Sequence, residues 1–381
     1  MSLTPPLRIV ADENMPLVEP WFSGLASSIT RLPGRSIQPQ DIATADVLLV
    51  RSVTQVNEAL LAGSSVRFVG SATIGTDHID QNWLAEAGIA FAHAPGSNAQ
   101  SVVDWLLSVL SRLQLDLDIP WWQKTIGVVG AGHVGSCVVQ RLRLLGATVL
   151  VCDPPRAERE GQEGFVDLDT LLSVSDILCM HAPYTRDGDH ATAGMINADR
   201  LARMKPGAWL INAGRGPVIQ SEPLLKTLQA QRIQAVLDVW PEEPRISQAL
   251  LETVYLGSPH VAGYSQEGKW AGTRMLAEAL YQHLQQPVPE APTPPKAPRL
   301  DCRFFDDATP QSLGAELILS LYDPARDHVA LGQSLSKGEV GAHAFDALRK
   351  EYPPRREIAS AGVVGVPEKA GDWLARLGFE V

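Results

Sequence analysis

Short apolar runs separated by turn-rich polar segments fill the first quarter of the chain. Runs at 8–11, 47–50, 67–71 and 90–92 have the length of buried strands, and the stretches 16–26, 55–62 and 79–87 carry apolar residues at helical spacing. Strand and helix in alternation predict a small parallel α/β unit. The period then changes. Between 98 and 118, Val102, Leu106, Val109, Leu110 and Leu113 line one face of a long amphipathic helix. A second alternating series follows, with strands expected at 126–129, 149–153, 177–181, 209–212, 235–239 and 254–256. Helices are expected at 138–145, 167–173, 197–203 and 220–231. Another helical stretch, 268–285, is positioned to return to the first unit.

The segment from Gln286 to Pro298 breaks this pattern with repeated prolines, the composition of an extended linker. Beyond it, 299–381 reads as a third, mixed α/β unit with a helix around 338–351. The expected division is therefore a discontinuous first domain (8–97 with 264–290), a central domain (98–263) that includes the 98–118 helix, and a linker with C-terminal domain (291–381).

Bulk properties narrow the function. A formal charge of −11 over 381 residues argues against nucleic-acid or anionic-membrane partners, so an anionic ligand must be drawn by a few local arginines. No apolar run reaches the length of a membrane span, and no signal-peptide pattern opens the chain. The four cysteines, Cys137, Cys152, Cys179 and Cys302, have no metal-ligand spacing, and no metal is expected. The first three fall within apolar patterns, as reduced core thiols do. A soluble cytoplasmic location is the expectation.

The most specific chemistry lies at Gly130-Ala131-Gly132-His133-Val134-Gly135. It follows an apolar strand and opens a helix, and a second strand ends in Asp153, eighteen residues after the last glycine. This is the dinucleotide-binding fingerprint. Its glycines permit a tight turn, close approach of the pyrophosphate and close helix–strand packing, while the helix N-terminus offers unpaired N–H groups to phosphate. Asp153 can accept hydrogen bonds from ribose hydroxyls and repels a 2′-phosphate, which favours NAD over NADP. The competing reading is an ordinary βαβ turn with a structural aspartate.

Other candidates sit where strands end. Ala213-Gly214-Arg215 follows a strand of the central domain, and Arg215 can hold a carboxylate bidentately. Asp238 ends the next strand, and Glu242-Glu243-Pro244 comes shortly after it. His260 lies in a loop before Gly263-Tyr264. A carboxylate beside an imidazole makes an acid–base pair, but the chemistry alone does not choose between Glu242 and Glu243. In the first domain Ala72-Thr73-Ile74-Gly75 offers backbone N–H groups suited to an anion. Arg51 and Ser52 end another strand, and Arg51 is read either as a phosphate contact or as a solvated arginine.

The ordered motifs resemble those of the D-isomer-specific 2-hydroxyacid dehydrogenases. They are the glycine loop, the distal Asp153, His181-x-Pro183, Met204 through Gly216, Leu237-Asp238-Val239-Trp240 with Glu243-Pro244, and Pro259-His260-x-Ala262-Gly263, within a resemblance that spans roughly residues 8–285. The resemblance implies two Rossmann-like doubly wound α/β domains and NAD as cofactor. It implies Arg215, Glu243 and His260 as the catalytic set, Glu243 being chosen because the family acid directly precedes the proline. It assigns cofactor contacts to Gly130, Gly132, His133, Val134, Gly135, Asp153, Ala213, Gly214, Arg215, Asp238 and Gly263. Substrate contacts fall to Arg51, Ser52, Thr73, Ile74, Gly75 and Tyr264. Two mild departures are Asp104, where many relatives have Glu, and Ala213-Gly214, where relatives often have Thr or Ser before Ala.

Further segments, Ala11–Asn14, Val50–Asn57, Ala72–Asp80 and Gly263-Tyr264-Ser265, resemble a branch of the family. That branch oxidises a phosphorylated four-carbon hydroxyacid on the route to pyridoxal phosphate and carries a smaller C-terminal α/β dimerisation domain. The resemblance thus implies a homodimer. A cleft between the two main domains is expected to close over the substrate. The C-terminal domain reads as a tethered addition that the chemistry does not need. Its basic residues Arg349, Lys350, Arg355 and Arg356 read either as solvated surface charge or as a cluster reaching the partner's cleft. Rival readings with the same motifs are a 3-phosphoglycerate dehydrogenase, a hydroxypyruvate reductase and an NAD-sensing corepressor-like binding protein.

Overall fold

The structure, a computed structural model, describes residues 4–293, 298–305, 309–336 and 342–381. It divides into two compact units, residues 1–98 with 265–296, and residues 99–264 with 297–381.

The first unit is a five-stranded parallel sheet of β1 (Leu7–Asp12), β2 (Ala26–Leu32), β3 (Val47–Val50), β4 (Phe68–Ser71) and β5 (Ala90–His93), in the order β2-β1-β3-β4-β5. β3 and β4 are buried along their whole length, as strands covered on both faces are. The helix Gln266–His283 buries Leu276, Ala277, Leu280 and Tyr281 against this sheet. The strand order reverses between β1 and β3, so the loop after β3, with Arg51 and Ser52, lies at a switch point where such sheets bind ligands.

Two expectations fail here. The helix expected over 16–26 is only Val18–Phe22, and β2 begins at Ala26. β2 is an edge strand paired only with β1. With one buried face to supply, Ala-Ser-Ser-Ile-Thr-Arg-Leu carries little apolar signal. The helix expected over 55–62 shrinks to Glu58–Leu61 because Val56 forms a bridge to Ile79 instead.

The second unit is built on a six-stranded parallel sheet of β6 (Thr125–Val129), β7 (Thr148–Cys152), β8 (Ile177–Met180), β9 (Trp209–Asn212), β10 (Gln234–Leu237) and β11 (Leu256–Gly257). The order is β11-β10-β9-β8-β6-β7, reversing between β6 and β8. The last strand starts two residues later than the pattern suggested. The long helix Ala99–Leu117 packs along this unit, and β12 (Arg299–Asp301) pairs with β13 (Gly362–Val364) in the C-terminal segment.

The C-terminal segment is not held at arm's length. Leu313, Leu317 and Ile318 of the helix Pro310–Leu321, with Ile358, Leu374, Leu377 and Phe379, lie in one continuous core with Val102, Leu106, Leu110 and Val138. The expectation of a tethered addition therefore gives way to a domain fused to the central one. The helices Pro310–Leu321 and Pro324–Ser336 were also not anticipated. The helix expected around 338–351 is present as Ala342–Lys350. Its expected start at Gly338 lies outside the described residues.

Candidate active site

The glycine loop begins where β6 ends. Gly130 has φ +83, and a Cβ there would lie 2.6 Å from the Ala182 backbone nitrogen. Only glycine meets both conditions. A Cβ on Gly135 would lie 1.9 Å from the Gly130 carbonyl oxygen, so the helix His133–Leu144 can approach the turn only without one. A Cβ on Gly132 would meet nothing within 4 Å. His133 is exposed and Val134 half-buried in the first turn of that helix. Asp153 accepts from the Ala131 N–H at 2.7 Å and caps the helix Pro154–Glu160 through the Arg156 N–H at 3.0 Å. The structural reading of Asp153 is thus real, and its half-buried carboxylate also stands beside the glycine loop.

On the other side of the switch point β8 delivers His181, whose two ring nitrogens are buried without a hydrogen-bond partner. Burial pushes the imidazole down to about 4. A glycine turn open at Gly132, a helix N-terminus and an unpaired buried imidazole at the strand ends together suit a dinucleotide.

The loop after β9 is organised by Asn212. It accepts from the Gly214 N–H at 3.0 Å and donates to the Arg215 carbonyl at 3.1 Å. Gly216 packs so tightly that a Cβ would lie 1.8 Å from the Trp240 carbonyl oxygen. The Arg215 loop is thereby pinned to the segment that carries Glu243.

Glu243 accepts from the Trp240 N–H at 2.8 Å through one oxygen and contacts His260 Nδ1 at 2.7 Å through the other. Glu242 is exposed. The geometry therefore selects Glu243 where residue chemistry left both open. Burial by itself would raise the Glu243 carboxyl. The charge and hydrogen bond of His260, the Trp240 N–H and the nearby Arg349 outweigh it and hold the group below its ordinary range. With Glu243 ionised, Nδ1 is the donor of the pair, and Nε2 is left as the basic nitrogen.

The His260 loop is held unusually. His260 has φ +57, a left-handed conformation that residues other than glycine adopt uncommonly, histidine more often than most, and at some energetic cost. Asp238, 1 % exposed, fixes it. Its carboxylate accepts from Ser258 Oγ at 2.6 Å, the Val261 N–H at 2.8 Å and the Ala262 N–H at 3.0 Å, and its carbonyl accepts from the His260 N–H at 2.8 Å. Asp238 thus serves the loop, beyond the cofactor role that the resemblance implied. Tyr264, just past Gly263, has its ring centre 5.6 Å from the Arg349 guanidinium carbon.

In the first unit Thr73 Oγ1 donates to the Gly75 carbonyl at 2.8 Å and contacts Ser71 Oγ at 2.7 Å, and Ser71 in turn contacts His78 Nε2 at 2.9 Å. This chain fixes the Ala72–Gly75 turn, which includes Ile74. His78 was not anticipated from sequence. Arg51 is half-buried and Ser52 exposed.

Residues 112–262 match the model of the D-isomer specific 2-hydroxyacid dehydrogenase NAD binding domain, and residues 296–378 match a domain of unknown function (DUF3410). The chain is 44 % identical over 361 residues to erythronate-4-phosphate dehydrogenase of Pseudomonas aeruginosa, covering 94 % of this chain and 95 % of that one. It is 46 % identical over 384 residues to erythronate-4-phosphate dehydrogenase of Marinobacter nauticus, covering 98 % and 100 %. This chain belongs to the erythronate-4-phosphate dehydrogenase family.

Among solved structures, D-lactate dehydrogenase from Aquifex aeolicus aligns with TM-score 0.61 at 23 % identity, over 73 % of this chain and 96 % of that one. A likeness at that identity shows the fold. Family membership makes the chain an NAD-dependent 2-hydroxyacid dehydrogenase with NAD as cofactor. Gly130, Gly132, Gly135, Asp153 and the strand-end loops are the residues that would hold it.

The family's C-terminal domain corrects one sequence reading. Arg355 is 4 % exposed and bonded to Ser101 and Ala262 of its own chain, so it is neither solvated nor available to a partner's cleft. Arg349 is half-buried and lies over the Tyr264 and Phe345 rings of its own chain. Among the described residues no helix is long and apolar enough to cross a membrane.

Proposed function

We propose that this protein oxidises 4-phospho-D-erythronate to 2-oxo-3-hydroxy-4-phosphobutanoate with NAD, in the biosynthesis of pyridoxal phosphate. The observation that carries the mechanism is the 2.7 Å contact of Glu243 with His260, on a segment pinned to the Arg215 loop. NAD, when bound, supplies the hydride acceptor. Nε2 of neutral His260 takes the proton of the 2-hydroxyl as C2 is oxidised. Glu243 stabilises the imidazolium so formed. Arg215 grips the substrate carboxylate and orients C2. Thr73, Ile74 and Gly75 present N–H groups to the same carboxylate, and Ser52 and Tyr264 add polar contacts. Arg51 is the first-unit cation suited to the terminal phosphate.

Glu243→Gln tests the pair. A neutral amide no longer stabilises the imidazolium formed as the proton is taken, so kcat should fall while NAD affinity stays near the parent value. An unchanged kcat would make Glu243 a structural residue.

Asp153 is proposed to set the cofactor preference. Asp153→Ser retains a helix-capping oxygen but removes the charge. Arg156, bonded to the Ala131 carbonyl at 2.7 Å and ion-paired with Glu160, then stands beside the glycine loop without the Asp153 carboxylate to repel a 2′-phosphate. NAD affinity should fall and the gap to NADP should narrow. Equal use of NADP by the parent enzyme would contradict the assignment.

The protein is further proposed to be cytoplasmic and a homodimer formed through its C-terminal domain. Phe304, 84 % exposed, and Val329, 55 % exposed, supply apolar surface there. Light scattering of the full chain and of a Phe304→Asp, Val329→Asp variant tests this. A monomeric parent would overturn it.

A further inference from the structure

A buried guanidinium needs a reason, because arginine keeps its charge at any pH the protein meets. Arg355 follows the helix Ala342–Lys350 and turns into the interior. Its guanidinium stacks 4.4 Å from the centre of the Tyr322 ring. Tyr322 and Tyr352 both donate to one oxygen of the buried Asp327, at 2.7 and 2.9 Å, which fixes that stacking surface. Arg355 Nη2 donates to Ser101 Oγ at 2.7 Å and to the Ala262 carbonyl. Ser101 Oγ donates to the same carbonyl at 3.1 Å.

Ala262 lies two residues beyond His260. The loop between them holds a strained backbone, and such conformations persist only where the surroundings over-determine them. Asp238 holds the loop by its N–H groups, and Arg355 with Ser101 holds it by a carbonyl. One grip comes from the end of β10, the other from the helix Ala99–Leu117 and the C-terminal domain. A third link, from the Ile358 N–H to the Asp104 carboxylate at 2.8 Å, ties the segment after Arg355 to the same helix that carries Ser101.

We propose that Arg355 is a positioning residue for the His260 loop, so that the C-terminal domain completes the hydride-transfer site of its own chain. The proposal rests on the reading of His260 as the acid–base group. It gives the C-terminal domain a catalytic duty in addition to any part in assembly.

The test uses the full chain with Arg355→Met, Arg355→Lys and Ser101→Ala, with His260→Ala as a control. The measurements are kcat and KM for 4-phosphoerythronate, NADH affinity by fluorescence, and Tm. In Arg355→Met, kcat is expected to fall about 10- to 100-fold, the scale of a small misplacement of a reacting group. KM and NADH affinity are expected to stay close to the parent values. Arg355→Lys can still donate to the Ala262 carbonyl and should recover part of the lost kcat. Ser101→Ala removes one hydroxyl and leaves the arginine in place, with an expected loss of about 2- to 10-fold, the worth of one hydrogen bond. A kcat within twofold of the parent in Arg355→Met, with only Tm lowered, would overturn the proposal. Should that variant fail to fold, unchanged kcat in both Arg355→Lys and Ser101→Ala would overturn it. Normal turnover in His260→Ala would instead remove the acid–base reading itself, and the positioning role with it.

Discussion

His260→Ala should lower kcat by roughly 10²–10⁴ while NAD binding stays near the parent level. The imidazole is held in two ways. Glu243, ionised and 2.7 Å away, orients Nδ1, and the left-handed backbone at φ +57 fixes where the ring leaves the loop. Removing the ring deletes the proton acceptor without touching the glycine turn at Gly130–Gly135. Stopped-flow turnover with fluorescence titration of NADH separates the two effects. A variant with near-parent kcat would take His260 out of the chemistry.

Arg215→Lys should also cost activity, although it preserves charge. A lysine ammonium cannot present two parallel donors to a carboxylate, and an imperfectly paired buried anion costs roughly 1–3 kcal/mol, or about 5- to 150-fold in kcat/KM. The loop itself should survive, because Asn212 holds its backbone through the Gly214 N–H and the Arg215 carbonyl. A lysine variant with parent kcat/KM would refute bidentate recognition.

The sequence was most legible where one constraint dominates. Strands buried on both faces, such as Val47–Val50 and Ile177–Met180, show as unbroken apolar runs, and the glycine turn shows because sterics leave no substitute at Gly130 or Gly135. Legibility failed where tertiary partners decide. β2 lies at a sheet edge and needs few apolar residues, so its Ser-Ser-Ile-Thr pattern gave no period. Arg355 sits in a polar, proline-containing stretch, and nothing local distinguishes it from a solvated arginine. Its burial depends on Ser101, more than 250 residues earlier, and on Ala262. The choice of Glu243 over Glu242 likewise follows from which carboxylate the Trp240–Pro244 turn aims at His260, a matter of backbone geometry that residue type does not encode.

One measurement tests the proposed substrate directly. Purified full-length protein is incubated with NAD and, in parallel, with 4-phosphoerythronate, 3-phosphoglycerate and unphosphorylated erythronate, and NADH formation is followed by its absorbance. Reduction of hydroxypyruvate by NADH is read the same way. kcat/KM is expected to be highest for 4-phosphoerythronate and to fall sharply when the phosphate is removed. Preference for 3-phosphoglycerate or hydroxypyruvate, or NAD binding without turnover of any hydroxyacid, would contradict the proposed function.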